Sequence, residues 1–256
     1  MKERLDQMLI QKQLAPTRSQ AQLLIKEGVV FLNGQQVTKA SLKCSEMDTI
    51  EVLKDHLWVG RGAEKLAGAY EDFNLSFEEK VIGDMGASTG GFVEFALFHG
   101  AKKVFAVDVG RDQLAPSLRE NSKVINLEGI NIKEGLTLDD QCDLIVIDLS
   151  FISLTKVLEN IIACLRSLGE VVVLVKPQFE VGKEFIGKKG IVKSQEATLG
   201  CLEKIYDFLE NQDCRVLNVA PCRVKGKTGN QEYFYHCVYE GPRSGYSRSQ
   251  LTKLIS

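Results

Sequence analysis

The stretch Val81-Ile82-Gly83-Asp84-Met85-Gly86-Ala87-Ser88-Thr89-Gly90-Gly91-Phe92 decides the fold of this chain, because an apolar run turns there into a glycine-rich loop and then into a helix. Lys80 to Ile82 reads as a strand entering a sheet. Gly90 and Gly91 let the backbone approach a ligand closely at a helix N-terminus, and the helix is expected over Phe92 to His99. The loop Gly86, Ala87, Ser88, Thr89, Gly90, Gly91 is therefore a candidate nucleotide-cofactor cradle.

The residues within the loop separate two kinds of cofactor. A dinucleotide fingerprint needs glycine at its second position so that a pyrophosphate can sit on the helix dipole, and Ser88 stands there instead. Asp84, two residues before Gly86, would repel a phosphate but suits the ammonium and sulfonium end of S-adenosylmethionine (SAM). The run Lys103-Val104-Phe105-Ala106-Val107-Asp108 then ends in a carboxylate about 20 residues beyond the loop, the position of a ribose ligand. Together, Asp84, the glycine loop and Asp108 favour SAM over NAD.

At 256 residues the chain has room for one large domain and a small companion. Its 44% hydrophobic and 26% charged content is that of a folded soluble protein. The N-terminus is charged and no 18-residue apolar run occurs, so the expected location is the cytoplasm, with no membrane association. Seven cysteines without a C-x-x-C pair and three scattered histidines point to neither a disulfide framework nor a metal site. The net charge of −2 gives no global attraction to nucleic acid, so such binding must rest on local basic patches.

Residues 1–55 read as a separate module. Leu5, Met8, Leu9 and Leu14 form a helical stripe that Pro16-Thr17 breaks, and a second helix follows with Thr17 or Ser19 as N-cap and Gly28 as C-cap. Asn33-Gly34 between Val29-Leu32 and Gln36-Thr38 is a hairpin signal, since both central residues of a type I′ turn need positive φ. Residues 56–62 form the linker, with Trp58 expected to pack at the domain junction. Residues 63–241 alternate helices and strands. A short helix is expected over Gln113 to Glu120, strands at 123–127, 142–148, 171–177, 215–220 and 232–239, and helices over Thr155 to Leu168 and Gln195 to Asn211. The alternation implies an α/β, doubly wound, largely parallel Rossmann-like sheet. Residues 182–190, rich in glycine and lysine, read as a mobile loop over the site, and the polar tail 242–256 as disordered.

Four polar residues fall where such a sheet gathers its strand ends: Lys65 before the first strand, Asp148 and Lys176 each ending an apolar strand, and Glu232 opening the last. Methyl transfer to a ribose hydroxyl needs a base, because that hydroxyl is barely ionised near neutrality. A lysine serves when deprotonated, a state that partial burial and a second lysine favour and carboxylates oppose. Lys176 is the candidate base, Lys65 its companion facing the developing oxyanion, and Asp148 and Glu232 the positioning groups. Asp148 also borders the cofactor.

Two resemblances sharpen this. The helix, turn, helix and Asn-Gly hairpin order resembles the small RNA-binding domain shared by a small-subunit ribosomal protein, many pseudouridine synthases and tyrosyl-tRNA synthetases. That resemblance implies RNA contacts from Arg4, Arg18, Lys26 and Lys39; Lys183, Lys188 and Lys189 in the glycine-rich loop are further candidates. Lys65, Asp148, Lys176 and Glu232 resemble the Lys-Asp-Lys-Glu tetrad of ribose 2'-O-methyltransferases with the FtsJ-type, seven-stranded fold. With Arg61-Gly62, Asp84 to Phe92, Asp148 to Leu154, Lys176 to Glu180 and Gly229 to Glu232, the chain resembles the TlyA family along nearly its whole length.

The TlyA resemblance implies SAM-dependent methylation of cytidine ribose in ribosomal RNA or assembled subunits, in a family whose members often carry the name haemolysin. Lys193-Ser194 departs from the Arg-Asp usual there. Gly129-Ile130-Asn131 matches loosely, with Asn131 as the adenine-side candidate. The alternatives are a membrane-acting haemolysin and a catalytically inert RNA-binding protein. The residues specify neither the target nucleotide nor the oligomeric state.

Overall fold

A computed structural model describes residues 3–15, 17–53, 58–242 and 245–255, with the side chains of Ser19, Leu23 and Glu27 excepted. Pro16 and the first part of the linker, including His56 and Leu57, lie outside the described residues. The chain divides into two compact units, Met1–Gly60 and Arg61–Ser256.

In the first unit, β1 (Glu3–Arg4) leads directly into α1 (Leu5–Gln11), and α2 (Arg18–Glu27) follows. Thr17 caps α2 by accepting from the Gln20 amide at 3.3 Å, and Gly28 ends it at φ 75°. β2 (Val30–Leu32) and β3 (Gln35–Gln36) form the hairpin, with Asn33 at φ 50° and Gly34 at φ 77° as a type I′ turn requires. β4 (Lys43–Cys44) pairs with β1, and β5 (Ile50–Val52) with β2. Leu5, Met8, Leu9, Leu24 and Ile25 close a small core between the two helices and the strands. Asp6 is buried beside that core, where it accepts from Arg4, Arg18 and Gln22.

The second unit opens with α3 (Gly62–Phe73) and continues as β6 (Val81–Met85), α4 (Gly91–Phe98), β7 (Lys103–Asp108), α5 (Pro116–Arg119) and β8 (Val124–Glu128). Then come β9 (Cys142–Ile147), α6 (Leu158–Ile162), β10 (Leu165–Val175), α7 (Pro177–Glu180), α8 (Gln195–Asn211), β11 (Cys214–Pro221) and β12 (Tyr233–Tyr239). They build one seven-stranded sheet in the order β11-β12-β10-β9-β6-β7-β8. Strands β10, β9, β6, β7 and β8 run parallel; β12 is antiparallel to both β10 and β11. Helices cover the faces, so the central strands are apolar throughout. Leu144 to Ile147 and Val171 to Val173 have no exposed surface, each side chain contributing about 1.5 to 3 kcal/mol by burial.

Three expectations need correction. The amphipathic stretch Thr155 to Leu168 is not one helix: a 3-10 turn at Leu154–Lys156 and the short α6 give way to β10 at Leu165. Leu165 pairs with Cys142, the Cys142 amide donates to the Cys164 carbonyl at 2.8 Å, and the register shifts between Leu165 and Glu170. Sheet pairing with β9 overrides the local helical period. The tail is also not disordered throughout, because Arg248–Leu254 forms a capped 3-10 helix with Leu251 fully buried, and the Tyr246 carbonyl accepts from the Tyr206 hydroxyl. Nor is 182–190 a free loop. It runs through a 3-10 turn at Lys183–Phe185 into a small hairpin closed by the Ile186 and Val192 bridge.

Midway along β10, Glu170 takes Lys80 at 2.7 Å and His236 at 3.3 Å, and His236 stacks on Phe73. Hydrogen bonding from His236, aided by Lys80, holds the Glu170 carboxyl down at about 2 against its ordinary 4.5 despite burial. A depressed carboxyl stabilises the fold above its ordinary value, and that contribution is lost as pH falls through its folded value. Glu170→Gln should therefore cost on the order of 2 kcal/mol near neutrality, allowing for partial solvent screening. Denaturant unfolding of both proteins from about pH 6 down to about pH 2 should show that gap closing. A gap that does not change with pH would contradict the assignment.

Candidate active site

The sheet brings four charged side chains into direct contact at the carboxyl ends of its central strands. Lys176 follows β10, and Pro177 at the first position of α7 stops the strand there, since it has no amide to continue the ladder. Asp148 follows β9, with its amide donating to the Met85 carbonyl of β6 at 3.0 Å. Glu232 precedes β12, held by the Cys222 amide donating to its carbonyl at 2.7 Å. Lys65 comes from the first turns of α3, whose Ala63 and Leu66 are buried.

Asp148 holds both amines. Its Oδ1 lies 2.5 Å from Lys176 Nζ and its Oδ2 3.6 Å from Lys65 Nζ. Lys65 Nζ also donates to Glu232 Oε2 at 2.8 Å, and Lys176 Nζ to Ser150 Oγ at 2.7 Å. Gln178 Nε2 donates to the other Glu232 oxygen at 3.2 Å. Lys176 and Glu232 are only 7% and 2% exposed, so the charges of the cluster must be compensated within it. Burial pushes the Lys65 amine down, but Asp148 and Glu232 outweigh it and hold the amine above the usual lysine value. Lys65 is thus a fixed cation.

The glycine loop borders this cluster. Gly86 sits at φ 98°, and a Cβ there would come within 2.7 Å of the Asp148 carbonyl oxygen. The Gly86 and Ala87 amides donate to the Val107 carbonyl at 2.8 and 3.1 Å, and Gly90 starts α4 at φ 97°. Asp108 accepts from the Ser88 and Gly110 amides at 2.8 and 2.7 Å, which fixes its carboxylate while leaving lone pairs for further donors. Thr89 contributes its carbonyl to the Ala115 amide. Asp84 is 1% exposed, and neither of its carboxylate oxygens has a hydrogen-bond partner in full geometry. Burial pushes its carboxyl well above the usual range, Asp148 and Asp108 push it the same way, and the Val93 amide only partly opposes them.

Asn131 is spent locally. Its Oδ1 accepts from the Lys133 amide and its Nδ2 donates to Glu134 at 2.6 Å, capping a 3-10 turn. Sequence reasoning missed several neighbours. Ser150, Phe151 and Gln178 lie two or three residues from tetrad members, which was the available signal. Phe151 is 90% exposed at φ 65° and leans on Phe179 with ring centroids 5.0 Å apart. Glu128, opposite Asp108 in register, accepts from the Asp112, Gln113 and Leu114 amides, whose pull, led by Leu114, lowers its carboxyl to about 2. Asn230 accepts from the Val192 amide and donates to the Gly190 carbonyl, tethering the lysine hairpin two residues from Glu232. Lys183, Lys188 and Lys189 are exposed on that hairpin segment.

In the first unit, Arg18 is about half exposed (54%) and joined to Arg4 through Asp6, whose carboxyl those donors hold far below its usual range, Arg4 first, against burial. Lys26 and Lys39 are exposed. Among the described residues no three His, Cys, Asp or Glu side chains group as a metal site.

Residues 58–239 match the model of the FtsJ-like methyltransferases, and residues 3–50 that of the S4 domain. The chain is 39% identical over 236 residues to the 16S/23S rRNA (cytidine-2'-O)-methyltransferase TlyA of Mycobacterium tuberculosis (strain CDC 1551 / Oshkosh), covering 90% of this chain and 88% of the relative. The chain belongs to the TlyA family of FtsJ-like methyltransferases. Hemolysin A of Brachyspira hyodysenteriae is 37% identical over 238 residues, 92% of this chain and 99% of that one. A solved structure from Streptococcus thermophilus, described as a candidate hemolysin, superposes with a TM-score of 0.77 at 33% identity, over 99% of this chain and 94% of that one.

In this TlyA-family chain the backbone at Gly86 packs directly against the Asp148 main chain. Gly86→Ala would combine an unfavourable φ with a clash against main chain that cannot swing away, costing on the order of 1 to 3 kcal/mol. Thermal unfolding should register the loss, and Gly135→Ala provides the contrast, since φ there is also positive but the space around it is open. Equal shifts in the two variants would mean that the contact with Asp148 carries no weight.

Proposed function

We propose that this chain transfers the methyl group of SAM to the ribose 2'-oxygen of a cytidine in ribosomal RNA, with Lys176 accepting the hydroxyl proton. The observation that carries the reading is the contact network in which Asp148 joins Lys176 to Lys65 and Lys65 to Glu232, beside the Gly86 loop. The names of the Mycobacterium tuberculosis relative and of the Campylobacter jejuni 23S rRNA (cytidine-2'-O)-methyltransferase TlyA support the same chemistry.

SAM fits the donors present. Asp84 offers an unpartnered carboxylate to a cation, and Asp108 retains lone pairs suited to ribose hydroxyls. When bound, SAM supplies a methyl group made electrophilic by its sulfonium. The protein's task is to set an RNA hydroxyl in line with that methyl and remove its proton. Lys176 is held by Asp148 and Ser150 so that its amine has one orientation, and Lys65, a fixed cation, offsets negative charge gathering on the 2'-oxygen. Glu232, gripped by Lys65 and Gln178, keeps that cation in register.

RNA recognition is divided. The S4 unit offers Arg4, Arg18, Lys26 and Lys39 to the phosphate backbone, and Lys183, Lys188 and Lys189 offer a second basic patch in the unit that holds the tetrad. The exposed Phe151 ring, with Phe179 behind it, offers a face on which an unstacked base can lie. This reading puts the protein with ribosomes in the cytoplasm. The hemolysin names belong to the relatives that carry them, and among the described residues no helix is long and apolar enough to cross a membrane.

Lys176→Met keeps a long unbranched side chain and removes the amine. It should leave SAM affinity near wild type and lower turnover on ribosomal RNA at least about 100-fold, the lower range for losing a general base. Near wild-type turnover would remove Lys176 as the proton acceptor. For the S4 unit the check is salt dependence: the protein lacking residues 1–60 should bind RNA with a shallower fall of affinity against salt than the full chain, because fewer phosphates are neutralised. Equal slopes would mean the anchor lies elsewhere.

A further inference from the structure

Asp84 differs from the partnered acids Glu170, Glu232 and Glu128 of the second unit. Glu170 and Glu232 are each paired with a cation, and Glu128 is wrapped by amides. Asp84 has neither. It is 1% exposed with both oxygens unpartnered. The charged groups acting on it are Asp148 beyond the end of β9 and Asp108 at the end of β7, both negative, while α4 contributes only the partial charge of the Val93 amide. Lys65 and Lys176 spend their charge on Asp148 and Glu232.

A carboxylate in that setting has only the Val93 amide to offset leaving water, so its neutral form is favoured. Catalysis by the tetrad does not use this residue. Asp84 nevertheless lies two residues before Gly86 of the glycine loop, where SAM would bring an ammonium and a sulfonium.

We propose that Asp84 is a proton-coupled cofactor latch: it is protonated in the free enzyme and releases its proton to solvent when SAM binds, so that cofactor capture and deprotonation of Asp84 are a single linked event. The inference rests on the SAM reading of the site. The chemistry balances simply, with the aspartic acid and cationic SAM going to an aspartate–SAM ion pair and one proton taken up by buffer. Linkage fixes the consequences. SAM affinity rises with pH through the Asp84 titration by up to about tenfold per pH unit. In the free protein the sign is opposite. Above the ordinary carboxyl value the folded state binds more protons at Asp84 than the unfolded state, so this residue makes stability fall as pH rises.

The test is titration calorimetry of the full chain with SAM near neutral pH, in buffers of different ionisation enthalpy. Wild type should release up to about one proton more per SAM than Asp84→Asn, which cannot titrate and reports any background from the ligand's own amine. Asp84→Asn is expected to fold at least as well as wild type, because it removes a buried group that resists charging. An independent measurement needs no variant: in protein carrying 13C-labelled aspartate, the infrared band of a protonated side-chain carboxyl should be present without SAM and vanish on its addition. Equal proton counts in wild type and Asp84→Asn, or no protonated carboxyl in the free protein, would overturn the proton coupling while leaving SAM binding intact. Absence of SAM binding by wild type would overturn the cofactor reading itself, and this inference with it.

Discussion

A single carboxylate shared between two lysine amines is the constraint around which the second unit is arranged. Asp148 can touch Lys176 and Lys65 at once only because β9 lies between β6 and β10, so that three consecutive strand ends open on the same edge. The cost of burying these charges is offset only while every member is present, since a lone buried ion is penalised far more than a satisfied cluster. The supporting contacts from Ser150, Gln178 and Cys222 then read as the scaffolding that the cluster requires. The parallel sheet and the charge cluster are two views of one requirement.

Much of this was legible in the residues because the physical rules involved are local. Alternating apolar runs and helical stripes reveal a parallel sheet, and a polar residue that ends an apolar run is a strand-end residue, which is how Lys176 and Asp148 stood out. The Asn33-Gly34 turn was equally plain, since few other residue pairs accept two consecutive positive φ values. What stayed hidden depends on partners distant in sequence. The stretch Thr155 to Leu168 carries a helical pattern, yet Leu165 is claimed by Cys142 more than 20 residues away. Asn230 anchors the lysine hairpin across 38 residues, and no local pattern announces it. The tail is mostly polar and is nonetheless docked through the buried Leu251, with Tyr246, Leu254 and Ile255 packed against the same core.

Electrostatics divides the two units in a consistent way. The chain is close to neutral overall, and its basic residues are locally organised: Arg4 and Arg18 around the buried Asp6, and the lysines on the hairpin tied to Asn230. Such an arrangement gives contacts of defined geometry in preference to a broad attractive field, which suits recognition of one folded RNA surface. Within the second unit the acids sort by environment. The carboxyls that face a cation or amides are held below their usual range, and the one that faces other acids, Asp84, is pushed above it.

The central claim, that the Lys65, Asp148, Lys176 and Glu232 cluster methylates a ribose oxygen of ribosomal cytidine, has a direct chemical readout. Purified protein would be incubated with ribosomal subunits and SAM carrying an isotopically labelled methyl group, and the RNA digested to nucleosides for mass spectrometry. The account predicts label in 2'-O-methylcytidine, with the extra mass on the sugar fragment. Label on a base, or no label with active SAM binding, would contradict it.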